Sequence, residues 1–211
     1  MELPILYSFR RCPYAMRARL ALQRANIKSE LREVVLRDRP EHMMEISPKG
    51  TVPVMLLQDG TLLEESLDIM DYAAEKIDSI CWKKESMPNF DEMISKLDGE
   101  FKHNLDRYKY PNRYDDVDAI QHRDSSIPFL QMIDDLLTDN EFLSGKEMGI
   151  LDCAIFPFIR QFANHDRDWF DNLPLEKLLK WLDCCLSSEE FKIVMKKYKQ
   201  WTPEQDVVIW P

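Results

Sequence analysis

A cysteine and a proline, Cys12-Pro13, stand at the junction of an extended run and a helical one near the start of the chain. The run before them, Leu3-Pro4-Ile5-Leu6-Tyr7, reads as a short strand. The run after them, Arg17–Ala25, reads as a helix, with Pro13 at its first position, where a missing N–H costs nothing because that amide has no intrahelical acceptor. A strand that turns directly into a helix commits the next strand to a parallel partner reached by a right-handed crossover. It also leaves Cys12 at a helix N-terminus, where partial positive charge favours a thiolate. Arg10 and Arg11 add positive charge nearby in sequence. The plainer reading of Cys12 is a small apolar side chain in a core.

The remaining pattern through residue 78 keeps alternating. Glu30–Leu36 reads as a second strand and Pro40–Ile46 as a short helix. Ser47-Pro48-Lys49-Gly50 is a turn, and Val52–Leu57 and Thr61–Leu63 are strands on either side of Asp59-Gly60, a strong hairpin signal. From Glu65 the chain is helical again, with Met70, Ala73, Ala74 and Ile77 at core spacing. The order is β-α-β-α-β-β-α. Pro53 inside a strand cannot donate to a ladder, so it either begins the strand or follows a cis Val52–Pro53 bond.

Residues 79–88 show no periodicity and read as a linker that includes Cys81 and Trp82. Residues 89–211 read as an all-helical domain. Helices are expected over Phe90–Asp106, Val117–Leu137, Ile150–Phe162, Leu175–Leu186 and Glu189–Gln200, with Thr202–Pro211 as an extended cover. Ile150–Phe162 is the most apolar and is expected at the centre, kinked or broken by Pro157.

Net charge is −10, of which residues 1–78 carry −2 and the rest −8. An acidic surface of this kind argues against nonspecific nucleic-acid binding. No apolar run approaches the roughly 20 residues that span a bilayer, and no basic-then-apolar leader precedes the first strand. The expectation is a cytoplasmic protein bound to neither nucleic acid nor membrane. Five irregularly spaced cysteines without a Cys-x-x-Cys point to neither a disulfide framework nor a zinc site, and no metal is expected. Cys184 and Cys185 point different ways on a helix and are not expected to pair. His42, His103, His122 and His165 are isolated and read as surface or packing residues.

Three motifs in this order, Cys12-Pro13-Tyr14-Ala15 followed by Arg17 and Arg19, Gly50-Thr51-Val52-Pro53-Val54, and Glu64-Glu65-Ser66, carry a resemblance. The first 78 residues resemble an α/β thioredoxin-like domain. With the all-α C-terminal domain, the chain resembles a cytosolic glutathione S-transferase of cysteine type: omega-like, dehydroascorbate-reductase-like or glutaredoxin-like. The resemblance covers essentially the whole length. It implies that Cys12 is the catalytic thiol that forms a mixed disulfide with glutathione. Pro13 and Tyr14 flank it. Val52, before a cis Pro53, would pair its backbone with the cysteinyl part of glutathione. Glu65 and Ser66 would hold the γ-glutamyl end, and Arg39 stands where related proteins carry a lysine toward the glycyl carboxylate. The simpler roles are helix capping for Glu65 and Ser66 and a solvated charge for Arg39. Two departures stand out. Gly149 occupies a capping place usually held by Ser or Thr three residues before the helix's Asp152. Tyr7 lies near where tyrosine-type transferases place an activating hydroxyl, but with Cys12 present it reads as packing.

Because the motif's fourth position is Ala15, exchange between two cysteines within it cannot operate. The implied activity is a glutathione-dependent thiol transferase or reductase. Glutathione is the co-substrate, and the second substrate is a small electrophile, disulfide, glutathionylated molecule or dehydroascorbate. The implied assembly is a homodimer. One alternative is conjugation of glutathione to electrophiles. The other is a noncatalytic transferase-like interaction module.

Overall fold

The computed structural model describes residues 3–87 and 89–211. Along the chain come β1 (Ile5–Ser8), α1 (Pro13–Arg24), β2 (Ser29–Glu33), α2 (Glu41–Ile46), β3 (Val54–Leu56), β4 (Leu62–Leu63) and α3 (Ser66–Ala74). Then follow α4 (Phe90–Lys96), a π-helical turn (Leu97–Phe101), α5 (Lys102–Lys109), α6 (Ala119–Asp124), α7 (Ile127–Leu136), α8 (Ile150–Ala163), α9 (Arg167–Asp171) and α10 (Glu176–Ser187). The chain closes with α11 (Glu189–Val194) and β5 (Ile209–Trp210). Two compact units result, one of residues up to Asp78 together with Ser187–Pro211, the other of Ser79–Leu186.

The first unit is a five-stranded sheet in the order β4-β3-β1-β2-β5. β1 and β2 are parallel, with Leu6 opposite Leu31, joined by α1 as the β-α start requires. β3 runs antiparallel to β1 and β4 antiparallel to β3. The turn at Asp59-Gly60 closes on Leu57, whose carbonyl accepts from the Gly60 N–H. Gly60 has φ +87, a conformation glycine adopts without a Cβ penalty. α1 buries Ala15, Met16, Ala18, Leu20, Ala21 and Leu22, and packs against α3 and α11.

Residues Ser187–Pro211 group with the first unit, whereas the sequence pattern places them in the helical domain. The helix expected over Glu189–Gln200 stops at Val194. Beyond it the chain runs along the sheet: the Trp201 N–H donates to the Glu33 carbonyl, and the Leu31 N–H donates to the Val208 carbonyl. β5 then pairs antiparallel with β2, Ser29 opposite Trp210. Trp210 is fully buried, and the expected extended cover ends in a two-residue sheet strand.

In the second unit, α8 is the core helix. Ile150, Ala154, Ile155, Phe156, Phe158, Ile159 and Phe162 are all buried, each large side chain stabilising by roughly 1.5–3 kcal/mol. α8 is continuous through Pro157, so the expected break is absent. Phe162 packs against Phe101, Tyr108 and Phe170. The helix expected over Val117–Leu137 is two, α6 and α7, separated at Ser125-Ser126 with Pro128 in the first turn of α7. Proline fits there and not in mid-helix. The stretch expected as a linker forms two short 3-10 turns that bury Cys81 and Trp82; its last residue, Pro88, lies outside the described residues.

Asp152, fully buried at the start of α8, accepts from the N–H groups of Leu143, Ser144 and Gly149 and from Trp181 Nε1, at 2.8–3.0 Å. A Cβ on Gly149 would lie 2.2 Å from the Cys81 carbonyl oxygen. The capping hydroxyl comes instead from Ser144, which accepts from the Leu151 N–H at 3.1 Å. Gly149 is therefore a packing requirement rather than a tolerated cap.

Candidate functional site

Cys12 is the residue before α1, with extended backbone (φ −72, ψ 124), and its side chain makes no capping bond to its own helix. Its N–H donates to the Phe9 carbonyl and its carbonyl accepts from the Met16 N–H. That closes a turn which fixes the half-buried sulfur at the helix start. The thiol points across to the other sequence motif: Sγ donates to the Val52 carbonyl at 3.6 Å. Val52 lies outside β3, so its carbonyl has no place in the ladder. The Val52–Pro53 bond is cis, and both residues are buried.

The other candidate residues are tied to the same segments. Pro13 and Tyr14 are the first two residues of α1. Tyr14 is half-buried, with the Arg17 guanidinium 5.0 Å from its ring centre. Arg17, itself buried, donates from Nε to the Ser66 hydroxyl at 2.9 Å. Ser66 opens α3 and is buried, while Glu65 before it is exposed and makes no capping bond. Lys49 reaches Glu65 Oε1 at 3.0 Å, and that hydrogen bond pushes the lysine up from its ordinary range. Arg39 donates from Nε to the Gly50 carbonyl at 2.6 Å. Segments 12–17, 39, 49–53 and 65–66 are thus linked by side-chain contacts within one unit.

Three features differ from expectation. Arg10 and Arg11 each have a partner apart from the thiol. Arg10 donates to the Met195 carbonyl at 3.4 Å, and Arg11 lies over the Phe9 ring. Lys49, overlooked as part of a turn, sits on Glu65. His42 is not isolated: the Tyr7 hydroxyl bonds its Nδ1 and accepts from Arg32, both at 2.6 Å. The Arg32 guanidinium lies 4.2 Å from the ring centre of Trp201 and 5.3 Å from that of Tyr7, and the two rings meet edge to face. Burial raises the Tyr7 hydroxyl above its ordinary pKa. A neutral, doubly bonded phenol is a packing element, in line with the sequence reading.

Among the described residues, no group of three or more His, Cys, Asp or Glu is placed to hold a metal ion, and no helix is long and apolar enough to cross a membrane. The arrangement offers one thiol beside a backbone carbonyl, with cations and a carboxylate a short distance along the same segments.

Residues 6–79 match the sequence profile described as "Glutathione S-transferase, N-terminal domain". A "Probable glutathione transferase" of Aplysia californica is 37% identical over 86 residues, covering 40% of this chain and 92% of that protein. "Glutathione S-transferase omega-1" of Sus scrofa is 24% identical over 180 residues, covering 82% of this chain and 73% of that protein. A crystal structure of a glutathione transferase family member from Pseudomonas fluorescens, with two glutathione bound, has a TM-score of 0.76 at 19% identity and covers 92% of each chain. That likeness shows a shared fold, thioredoxin-like with a mostly helical partner unit.

Proposed function

The chain belongs to the glutathione S-transferase family, and from that premise we propose that it is a glutathione-dependent thiol transferase or reductase working through a mixed disulfide on Cys12. The observation that carries this reading is the Cys12 sulfur at the start of α1, 3.6 Å from the Val52 carbonyl. A thiol at a helix N-terminus is the most readily ionised in such a site. The neighbouring carbonyl, outside any ladder, is the backbone group that the cysteinyl amide of a bound glutathione would meet.

The chemistry is two successive exchanges. The Cys12 thiolate attacks the glutathione sulfur of a glutathionylated substrate. A Cys12–glutathione disulfide forms, and the substrate leaves as its thiolate and takes up a proton. The thiolate of a second glutathione then attacks the glutathione sulfur of that adduct, giving oxidised glutathione and returning Cys12 as thiolate. Pro13 and Tyr14 border the reacting sulfur. Glu65 binds the γ-glutamyl ammonium, and the Ser66 hydroxyl, held by Arg17, binds its carboxylate. Arg39 and Lys49 supply cations for the glycyl carboxylate. The second substrate is a small disulfide, an electrophile, a glutathionylated molecule or dehydroascorbate. The working assembly is a homodimer, and the setting is the cytoplasm.

The test is the intact mass of the full-length protein after incubation with oxidised glutathione, beside Cys12→Ser. The expected result is one added glutathione on the wild type, none at that position in the variant, and loss of the adduct on adding reduced glutathione. No adduct and no heat of glutathione binding by calorimetry would overturn the reading in favour of a noncatalytic interaction module. Conjugation activity that survives in Cys12→Ala would favour the conjugating alternative.

A further inference from the structure

Arg19 follows Arg17 by two positions on α1 and has no surface. It is fully buried, and Nε and Nη1 have no hydrogen-bond partner. Its remaining nitrogen donates to the Arg10 carbonyl at 3.2 Å, so the guanidinium folds back toward the helix start. From β2, Glu33 meets the same residue from the other side: Oε1 accepts from the Arg10 N–H at 2.8 Å, and Oε2 has no partner. Both backbone polar groups of Arg10 are therefore held by one buried cation and one buried anion. Two residues later the chain reaches Cys12.

Neutral side chains would hold a peptide group equally well. A buried guanidinium with two unbonded nitrogens is costly, so its charge, and not only its hydrogen bond, calls for a role. The Arg19 charge and the Cys12 sulfur interact electrostatically, and a thiolate favours the charged guanidinium. Burial brings Arg19 down to about 10, which leaves it charged at neutral pH. Among the described residues, the other charged or titratable groups that act on Arg19 are Glu33, Tyr198 and Arg10. The Arg10 guanidinium is engaged by Met195, and the Tyr198 hydroxyl is raised by burial and stays neutral. Arg17 is bonded to Ser66. The Trp210 ring covers Arg19, with its centre 5.9 Å from the guanidinium.

We propose that Arg19 and Glu33 are positioning residues that clamp the loop before Cys12 and set the stability of its thiolate, Arg19 favouring the charged sulfur and Glu33 opposing it. This rests on Cys12 being the reacting thiol. The clamp is assembled from α1 and β2 and closed over by the tail. Residues far apart in sequence thus tune one sulfur without touching substrate.

The experiment is the pH dependence of iodoacetamide alkylation at Cys12 from pH 5 to 10, read by peptide mass mapping of the full-length protein. The variants are Arg19→Met, Arg19→Lys and Glu33→Gln. The midpoint is expected to rise by about one unit in Arg19→Met, to stay near wild type in Arg19→Lys, and to fall in Glu33→Gln. Unfolding moves a thiol toward about 8.5, its ordinary value, so the fall in Glu33→Gln cannot come from a damaged fold. Near-ultraviolet circular dichroism and the thermal melt of the full-length variant report whether Arg19→Met is folded. A Glu33→Gln midpoint that is unchanged or higher overturns the proposal. A wild-type midpoint near 8.5 without a glutathione adduct overturns the Cys12 chemistry itself. A low wild-type midpoint that no variant moves overturns only the charge clamp.

Discussion

The Arg17 guanidinium donates to the Ser66 hydroxyl across 2.9 Å, with both side chains buried, and so ties the start of α3 to α1. A hydrogen bond from a charged group is worth about 1.5–3 kcal/mol, enough to fix the orientation of the hydroxyl. Arg17→Met is expected to weaken glutathione binding about tenfold or more, measured by calorimetry on a Cys12→Ser background that cannot trap the ligand. Affinity equal to that of the parent would show that Ser66 does not depend on Arg17.

Burial raises the Glu33 carboxyl above the usual carboxylate range, against the lowering influence of the Arg10 N–H and of the charges on Arg19 and Arg10. The folded state therefore holds this proton more tightly than the unfolded state does. Between the two values the native protein binds more protons, so stability falls as pH rises. Glu33 contributes its full stabilisation below the unfolded value and loses it as pH climbs through the folded one. Thermal midpoints recorded from about pH 4 upward should fall less steeply in Glu33→Gln than in the wild type. Equal slopes would remove Glu33 as a source of that dependence. Asp152 is raised in the same direction by burial, so a residual slope is expected in the variant.

Gly149→Ser restores the hydroxyl that the family resemblance leads one to expect, yet it should destabilise. Its Cβ would fall 2.2 Å from the Cys81 carbonyl oxygen and 2.5 Å from the Ser144 Cβ. Overpacking of this kind costs about 1–3 kcal/mol, or a fall in Tm of roughly 2–12 °C for a protein of this size. Ser144→Ala removes the substitute cap on Leu151 and should cost about 1 kcal/mol. A calorimetric scan that finds Gly149→Ser as stable as the wild type would show that the Cys81 segment yields.

Local rules made much of this legible. Cys12-Pro13 and Asp59-Gly60 each specify their turn within a few residues, and the strand order through α3 follows from them. The motif residues could be named because short segments carry them. What escaped depended on distant partners. β5 is two residues long, and its pairing with Ser29 and Glu30 leaves no periodic mark near Trp210. Arg19 and Glu33 carry charge, which on an amphipathic pattern points to solvent; only the folded chain shows the tail covering them. From the helix sequence Gly149 reads as a departure at the capping place, because the approach of Cys81 cannot be seen there. The Ser125-Ser126 break was within reach, since Pro128 fits a helix's first turn and not its middle.

The pairing of β2 with β5 makes the sheet unit discontinuous, with Ser79–Leu186 inserted between its two parts. During synthesis a ribosome must deliver the whole inserted unit before the strand that completes the sheet exists. The helical unit is contiguous and can compact while the nascent sheet still presents β2 as an open edge. An excised fragment ending at Asp78 would keep the thiol and all three motifs. It would lack the segment that buries Arg19, and would expose as an aggregation-prone edge what the intact chain seals with its last strand.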